Sequence, residues 1–303
     1  MKAVVYQRFG GPEVLEVMEL PDPRVNVDGV LVRVKAAALN PADLGVQADE
    51  SSFETYFPAV PGWDVAGVVE RAGPGAAEFS PGDEVIGYVR GPVAHRNGAY
   101  AEKVSADVRT LARKPSGMSW AAAAGLPLGG LTALQALRAL ALSPGETLLV
   151  HGAAGGVGSL AVQLAVSRGI RVIGTAGSPG NLAYVRSLGA SAVRYGPGVV
   201  SRVLDVVPGV DAVLDGAGLG AVASTSDLVR PGVRVASIAE FSFPGVIPVF
   251  ARLASGDLAT LAELASSGVL SVRVARTFPL ASAAEAQLLL ASGRAEGKVV
   301  LIP

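Results

Sequence analysis

Residues 147–165 read TLLVHGAAGGVGSLAVQLA, and the succession of textures in this stretch decides the fold. A short apolar run ending at His151 meets four glycines between 152 and 158, and an alanine-rich apolar run then continues to Arg168-Gly169. That succession is strand, tight turn, helix. The spacing G-x-G-x-x-G can be laid over Ala153, Gly155 and Gly158, with alanine in the first place. A glycine at 155 lets the backbone approach a pyrophosphate, and one at 158 lets helix and strand pack closely. The amides opening the helix, at Gly156 and Val157, would face negative phosphates. Spacing alone is a weak signal, and an ordinary tight turn is the competing reading. A second strand of suitable length, IRVIGTA at 170–176, supports the nucleotide cradle.

Outward from this stretch the chain alternates. NLAYVRSLGA reads as a helix, DAVLDGAG and VRVASIA as strands, LATLAELASSG and SAAEAQLLLASG as helices, and GKVVLIP as a terminal strand. Strands alternating with helices of this length predict an α/β fold with a doubly wound parallel sheet. Before residue 116 the texture differs. KAVVY, VLVRVKAAAL, VAGVVERAG and DEVIGYV are short valine-rich runs broken by Gly, Pro and Asp, which predicts a β-rich unit. The change comes at PSGMSWAAAAGL, where Ser116 or Ser119 can cap a helix.

The end of the second strand bears on which nucleotide is held. NAD sites usually carry Asp or Glu there, bonded to the ribose hydroxyls. Here the segment is Gly174, Thr175, Ala176, Gly177, Ser178, without an acid. The absence permits a 2′-phosphate and hence NADP(H), and Thr175 and Ser178 can donate hydrogen bonds to it. Asn181 stands where a lysine would help, and Arg186 and Arg194 are candidate cations. A plain surface turn through Ser178 and Asn181 is the competing reading.

Composition narrows the function classes. Half of the 303 residues are apolar and 17% charged, enough for a sizeable core. With a net charge of −1 and no run of Lys or Arg, neither nucleic acid nor an anionic membrane is an expected partner. There is no cysteine, so neither a disulfide framework nor a thiolate metal site is expected. MKAVVYQRFGG lacks the apolar centre of a signal peptide, and no uninterrupted apolar stretch of about 20 residues occurs, so a soluble, cytoplasmic protein is expected.

Several segments together resemble one family: FGGPEVLEV, AALNPADLG at 37–45, FPAVPGWDVAGVVERAGPGAAEFSPGDEVIGY at 57–88, GAYAEKV at 98–104, AAAAGLPLGGLTALQAL at 121–137, the glycine stretch, and GRAEGKVVLIP. In order along nearly the whole chain, they resemble the zinc-independent medium-chain dehydrogenases/reductases of the quinone oxidoreductase branch. The resemblance implies a GroES-like catalytic domain from residues 1–115 and 257–303. It also implies a Rossmann domain over 116–256 binding NADPH, and a homodimer. Zinc-bearing relatives carry Gly-His-Glu where this chain has Gly62-Trp63-Asp64. With two histidines, His95 and His151, and no cysteine, a tetrahedral zinc site is not expected and no metal ligand is assigned.

The resemblance also implies residue roles. Asn40 would lie near the nicotinamide ribose and substrate, although Asn-Pro also makes a plain turn. Thr132 would sit on a helix facing the nicotinamide end, unless it bonds its own helix. Gly216, Ala217, Ser237 and Ile238 fall on loops at the carboxyl edge of the sheet, where doubly wound folds bind ligands. Tyr195 matches a position beside the 2′-phosphate, and Lys298 one close to the cofactor. His151 reads as a packed strand-end residue and His95 as a loop residue. Tyr56 or Tyr88 could line a substrate pocket.

The function expected is hydride transfer from NADPH to a small quinone or similar electron-poor acceptor, without metal. The alternatives are an enoyl or 2-alkenal C=C reductase acting on an enone or enal, and a non-catalytic NADPH-binding protein. A short-chain dehydrogenase is set aside, because its Tyr-x-x-x-Lys is missing and the glycine turn lies mid-chain.

Overall fold

The computed structural model describes residues 1–50, 53–91 and 97–303. Its elements begin with β1 (Lys2–Val5), β2 (Glu16–Glu19), β3 (Gly29–Ala38), α1 (Pro41–Gln47), β4 (Asp64–Ala72), β5 (Glu84–Tyr88), β6 (Lys103–Asp107), β7 (Leu111–Arg113) and α2 (Trp120–Ala124). Then come α3 (Pro127–Leu140), β8 (Thr147–His151), α4 (Gly158–Ser167), β9 (Arg171–Ala176), α5 (Pro179–Ser187), β10 (Ser191–Arg194) and α6 (Val199–Leu204). The last are β11 (Ala212–Asp215), β12 (Arg234–Ser237), β13 (Ile247–Pro248), α7 (Ser255–Ser266), β14 (Val274–Pro279), α8 (Ala283–Ala291) and β15 (Lys298–Ile302). They form two compact units, one of Met1–Leu128, Leu253–Ser267 and Val272–Pro303, the other of Gly129–Arg252 and Gly268–Ser271.

The first unit is built on a seven-stranded sheet ordered β14-β15-β3-β4-β5-β7, with β6 paired to β3 and β1 and β2 as a separate antiparallel ribbon. Val30, Val32 and Val34 alternate along β3 and point one way, as a period of two requires. They meet Val65, Val85, Val104, Val299 and Leu301 in one core cluster, so the chain's last strand is packed against its early ones. Ser119, not Ser116, caps α2, accepting from the Ala122 amide at 3.3 Å.

The second unit carries a six-stranded sheet ordered β10-β9-β8-β11-β12-β13, parallel throughout. Counted from β8, the order is 3-2-1-4-5-6, the doubly wound arrangement of dinucleotide-binding folds. The order reverses between β8 and β11, whose residues are all buried. Leu149, Ile173, Val193, Val213 and Val235, one from each of five strands, make a continuous apolar row that Val199 and Val203 of α6 cover. Three elements here escaped the sequence reading, β10, β13 and α6. Strand β13 holds only Ile247 and Pro248, and a proline is tolerated because this strand is an edge. Helix α6 is six residues long, too short to show a period. Among the described residues no helix is long and apolar enough to cross a membrane.

Leu149 lies fully buried in the central strand β8. Leu149→Ala is expected to cost about 2–5 kcal/mol through lost burial and the cavity left behind. Urea unfolding followed by circular dichroism would measure it, and an unchanged midpoint would count against this packing.

Candidate functional site

The glycine turn leaves β8 at His151 and enters α4 at Gly158. Gly155 donates to the Gly152 carbonyl at 2.9 Å, and the Ala153 amide donates to the Thr175 carbonyl at 3.1 Å, tying the turn to β9. A Cβ at Gly158 would lie 2.2 Å from the Gly152 oxygen, so only glycine lets α4 start this close to the strand. The alanine in the first place of the pattern is accommodated by a glycine elsewhere. The Ala153 methyl would lie 2.6 Å from a Cβ at Gly174, whose absence makes room for it. Among the described residues the amides of Gly156, Val157 and Gly158 have no internal acceptor. They open a helix of ten residues, where an anionic group is favoured.

Behind the turn lies a buried polar cluster. His151 Nε2 is 3.0 Å from the Thr225 hydroxyl and its Nδ1 3.4 Å from that of Thr175. Burial pulls the imidazole down to about 4, against the Asp215 carboxylate that raises it, so His151 is neutral near pH 7. Thr175, 2% exposed, turns its hydroxyl toward His151 and Gly152 and braces the turn from inside.

Across the switch point, Asp215 organises the two loops that carry the remaining expected residues. Its Oδ1 accepts the amides of Ala217 and Gly218, each at 2.9 Å, and its Oδ2 accepts the Ser237 hydroxyl at 2.8 Å. Ser237 in turn accepts the amides of Ala239 and Glu240. The Gly216 amide donates to the His151 carbonyl and that of Ile238 to the Asp215 carbonyl. The amides of Gly216, Ala217 and Ile238 are thus committed inside the protein, leaving carbonyls and apolar surface at this edge. Asp215 was missed in the sequence, where it reads as the last residue of an apolar strand.

At the other end of the edge, Ser178 caps α5, accepting from the Asn181 amide at 3.1 Å. Tyr195 lies over Gly177 and is 62% exposed. Thr132 is buried on α3.

Asn40 and Lys298 belong to the first unit, and they meet there. Lys298, 6% exposed, donates to Asn40 Oδ1 at 2.6 Å and to the Leu39 carbonyl at 3.1 Å, and lies 3.4 Å from Asp64 Oδ2. Asn40 Nδ2 donates to the same Asp64 oxygen at 2.9 Å, while Asp64 Oδ1 accepts the Leu128 amide at the start of α3. The Asn40 amide is therefore held at both ends. Lys298 is committed to this interior cluster, because its chain enters from the buried start of β15. Burial pushes the Asp64 carboxyl up, to about 6, while Lys298, Asn40 and the Leu128 amide pull it down.

This donor set does not fit a zinc ion. Asp64 is already satisfied by an ammonium and two N–H donors, and Trp63 offers no ligating group. Among the described residues no group of three His, Cys, Asp or Glu side chains is placed to hold a metal. His95 lies outside the described residues. Tyr56 is exposed and bonded to Glu54, and Tyr88 is buried with its phenol pushed up by desolvation.

Residues 26–116 match the family described as "Alcohol dehydrogenase GroES-like domain", and residues 156–281 that described as "Zinc-binding dehydrogenase". The chain is 35% identical over 316 residues to the "NADPH-dependent alkenal/one oxidoreductase, chloroplastic" of Arabidopsis thaliana, covering all of this chain and 80% of that protein. Among solved structures, one titled "Crystal Structure of NAD-dependent alcohol dehydrogenase" superposes with a TM-score of 0.92 at 35% identity, covering all of both chains. The quinone oxidoreductase from Coxiella burnetii superposes with a TM-score of 0.89 at 30% identity, covering all of this chain and 99% of that one.

Two expectations follow for pH. The folded state depresses the His151 pKa from 6.5 to about 4, so its contribution is present above pH 6.5 and lost as pH falls through 4. His151→Gln should flatten the loss of urea stability between pH 6.5 and 4; an unaltered slope would contradict the assignment. For the raised Asp64, Lys298→Met removes the cation beside a buried carboxylate, costing about 3–5 kcal/mol at pH 8. The cost should shrink at pH 5, where Asp64 is protonated. An equal loss at both pH values would show that the pair is not what Lys298 contributes.

Proposed function

This chain belongs to the medium-chain dehydrogenase/reductase family of nicotinamide-dinucleotide-dependent oxidoreductases, and we propose that within it the protein is a metal-free, NADPH-dependent reductase of quinones. The observation that carries this reading is the cradle in the second unit: three amides without internal acceptors at the start of α4, held against β8 by a position that admits no Cβ. Bound there, a reduced dinucleotide supplies the hydride. The amides of Gly156, Val157 and Gly158 would hold its pyrophosphate, and the loops braced by Asp215 and Ser237 would bound the carboxyl edge beside it. Their cross-links keep that edge in one shape, so positioning needs no rearrangement when ligands arrive. In the first unit, the Asn40 amide is fixed in a single orientation by Lys298 and Asp64.

The acceptor class follows from what the site lacks. Alcohol oxidation in zinc-bearing relatives relies on a metal Lewis acid, and the residues around Asp64 do not suit one. A quinone already stabilises the electrons it receives, and the product takes its proton from water. An enal or enone has a similarly activated double bond, and the similarity to an alkenal/one oxidoreductase favours this as the second reading. We further propose a cytoplasmic homodimer.

Loss of NADPH absorbance with a panel of quinones and 2-alkenals tests both readings. Quinone turnover is expected, turnover of enals alone would establish the second reading, and tight binding without turnover would leave a binding protein. Gly158→Val should weaken NADPH and NADH binding together, by at least about tenfold, because the side chain meets the Gly152 carbonyl. Unchanged affinity would remove the cradle from the mechanism.

A further inference from the structure

The cradle accepts a pyrophosphate whichever nucleotide carries it, so the preference for a 2′-phosphate needs a separate cation, and the cation on β9, Arg171, stands at the start of the strand, away from its carboxyl end. Between Glu146 and Asp205 the chain carries no acid and five arginines, Arg168, Arg171, Arg186, Arg194 and Arg202, although the chain as a whole has net charge −1. Arg168 and Arg171 lie at the end of α4 and the start of β9, on the amino edge of the sheet. Three of these arginines lie on α5, β10 and α6, around the edge where β9 ends. Arg202 donates to the carbonyls of Arg194, Tyr195, Gly196 and Pro197, so its guanidinium is spent on holding the turn after β10. Arg186 donates to the Ala192 carbonyl. Arg194 is exposed, and among the described residues its side chain makes no hydrogen bond or ion pair.

Register puts Arg194 at the decisive place. In the parallel pairing of β10 with β9, Arg194 stands opposite Ala176, the position where a ribose-binding acid was expected. Partners in register share a face of the sheet, so the guanidinium extends over the side that such an acid would occupy. The neighbouring position is closed to a carboxylate. A Cβ on Gly177 would lie 2.7 Å from Tyr195 Cε1 and 2.9 Å from its hydroxyl oxygen, so the phenol occupies the space of a side chain at 177. We propose that Arg194 is the residue that selects NADPH over NADH, its guanidinium binding the 2′-phosphate beside the Tyr195 hydroxyl, on a turn that Arg202 holds in place. The proposal rests on the NADPH reading above. A planar guanidinium can give a phosphate two parallel hydrogen bonds, whereas NADH has only hydroxyls there.

The test compares dissociation constants for NADPH and NADH, and for the probes 2′,5′-ADP and 5′-AMP, by calorimetry on the purified full chain. Arg194→Ala should weaken NADPH and 2′,5′-ADP by about tenfold to a hundredfold, and NADH and 5′-AMP by less than about twofold. Arg194→Lys should restore part of the difference. Gly177→Asp should displace Tyr195 and lower the ratio of NADPH to NADH affinity. If the unsubstituted protein prefers NADPH and Arg194→Ala keeps that preference, Arg194 is not the selector and the NADPH reading stands. If the unsubstituted protein binds both nucleotides equally or prefers NADH, both are overturned.

Discussion

The carbonyl oxygen of Gly152 leaves no room for a side chain at Gly158, and the carboxyl edge of the second unit's sheet depends on that constraint. Because α4 can start this close to β8, its first amides emerge at the end of the central strands. The same closeness lets Ala153 reach the Thr175 carbonyl and lock the turn onto β9. The fit is mutual along the ladder: Gly174 on β9 makes room for the Ala153 methyl, so a departure from the usual glycine pattern is absorbed by a second glycine on the neighbouring strand.

Two buried carboxylates then do comparable jobs in the two units. Asp215 gathers two amides and a hydroxyl, stiffening the loops after β11 and β12. Asp64 gathers an asparagine, a backbone amide and the ammonium of Lys298. Each is almost saturated by donors, which makes burial of the charge tolerable. The second cluster lies outside residues 156–281, which match the family described as "Zinc-binding dehydrogenase", and it does not suit zinc. The positive charge next to Asp64 is a lysine of the chain itself.

Legibility in the sequence followed the range of the interactions. The glycine stretch and the alternation after it announced the parallel sheet, because turn chemistry and strand–helix periods are local. Strand β13 and helix α6 were not legible, being too short to show a period, and Pro248 argued against a strand until its edge position was known. Among the site residues, Gly155, Gly156, Val157 and Gly158 stand where the spacing put them. The inward partners of Thr175 and Lys298, His151 for the one and Asn40 and Asp64 for the other, carry no signal in the local sequence. No local pattern marks Asp215, whose partners lie on loops beyond two different strands.

The sequence by itself determined the fold class, the place of the glycine turn between β8 and α4 and the missing acid after β9, since each depends on a few neighbouring residues. Only the tertiary structure decided which polar groups are committed and which are left over. Asp64 meets Lys298 across more than two hundred residues, and Arg194 meets the end of β9 through strand register, because a parallel sheet joins positions that the chain itself keeps far apart.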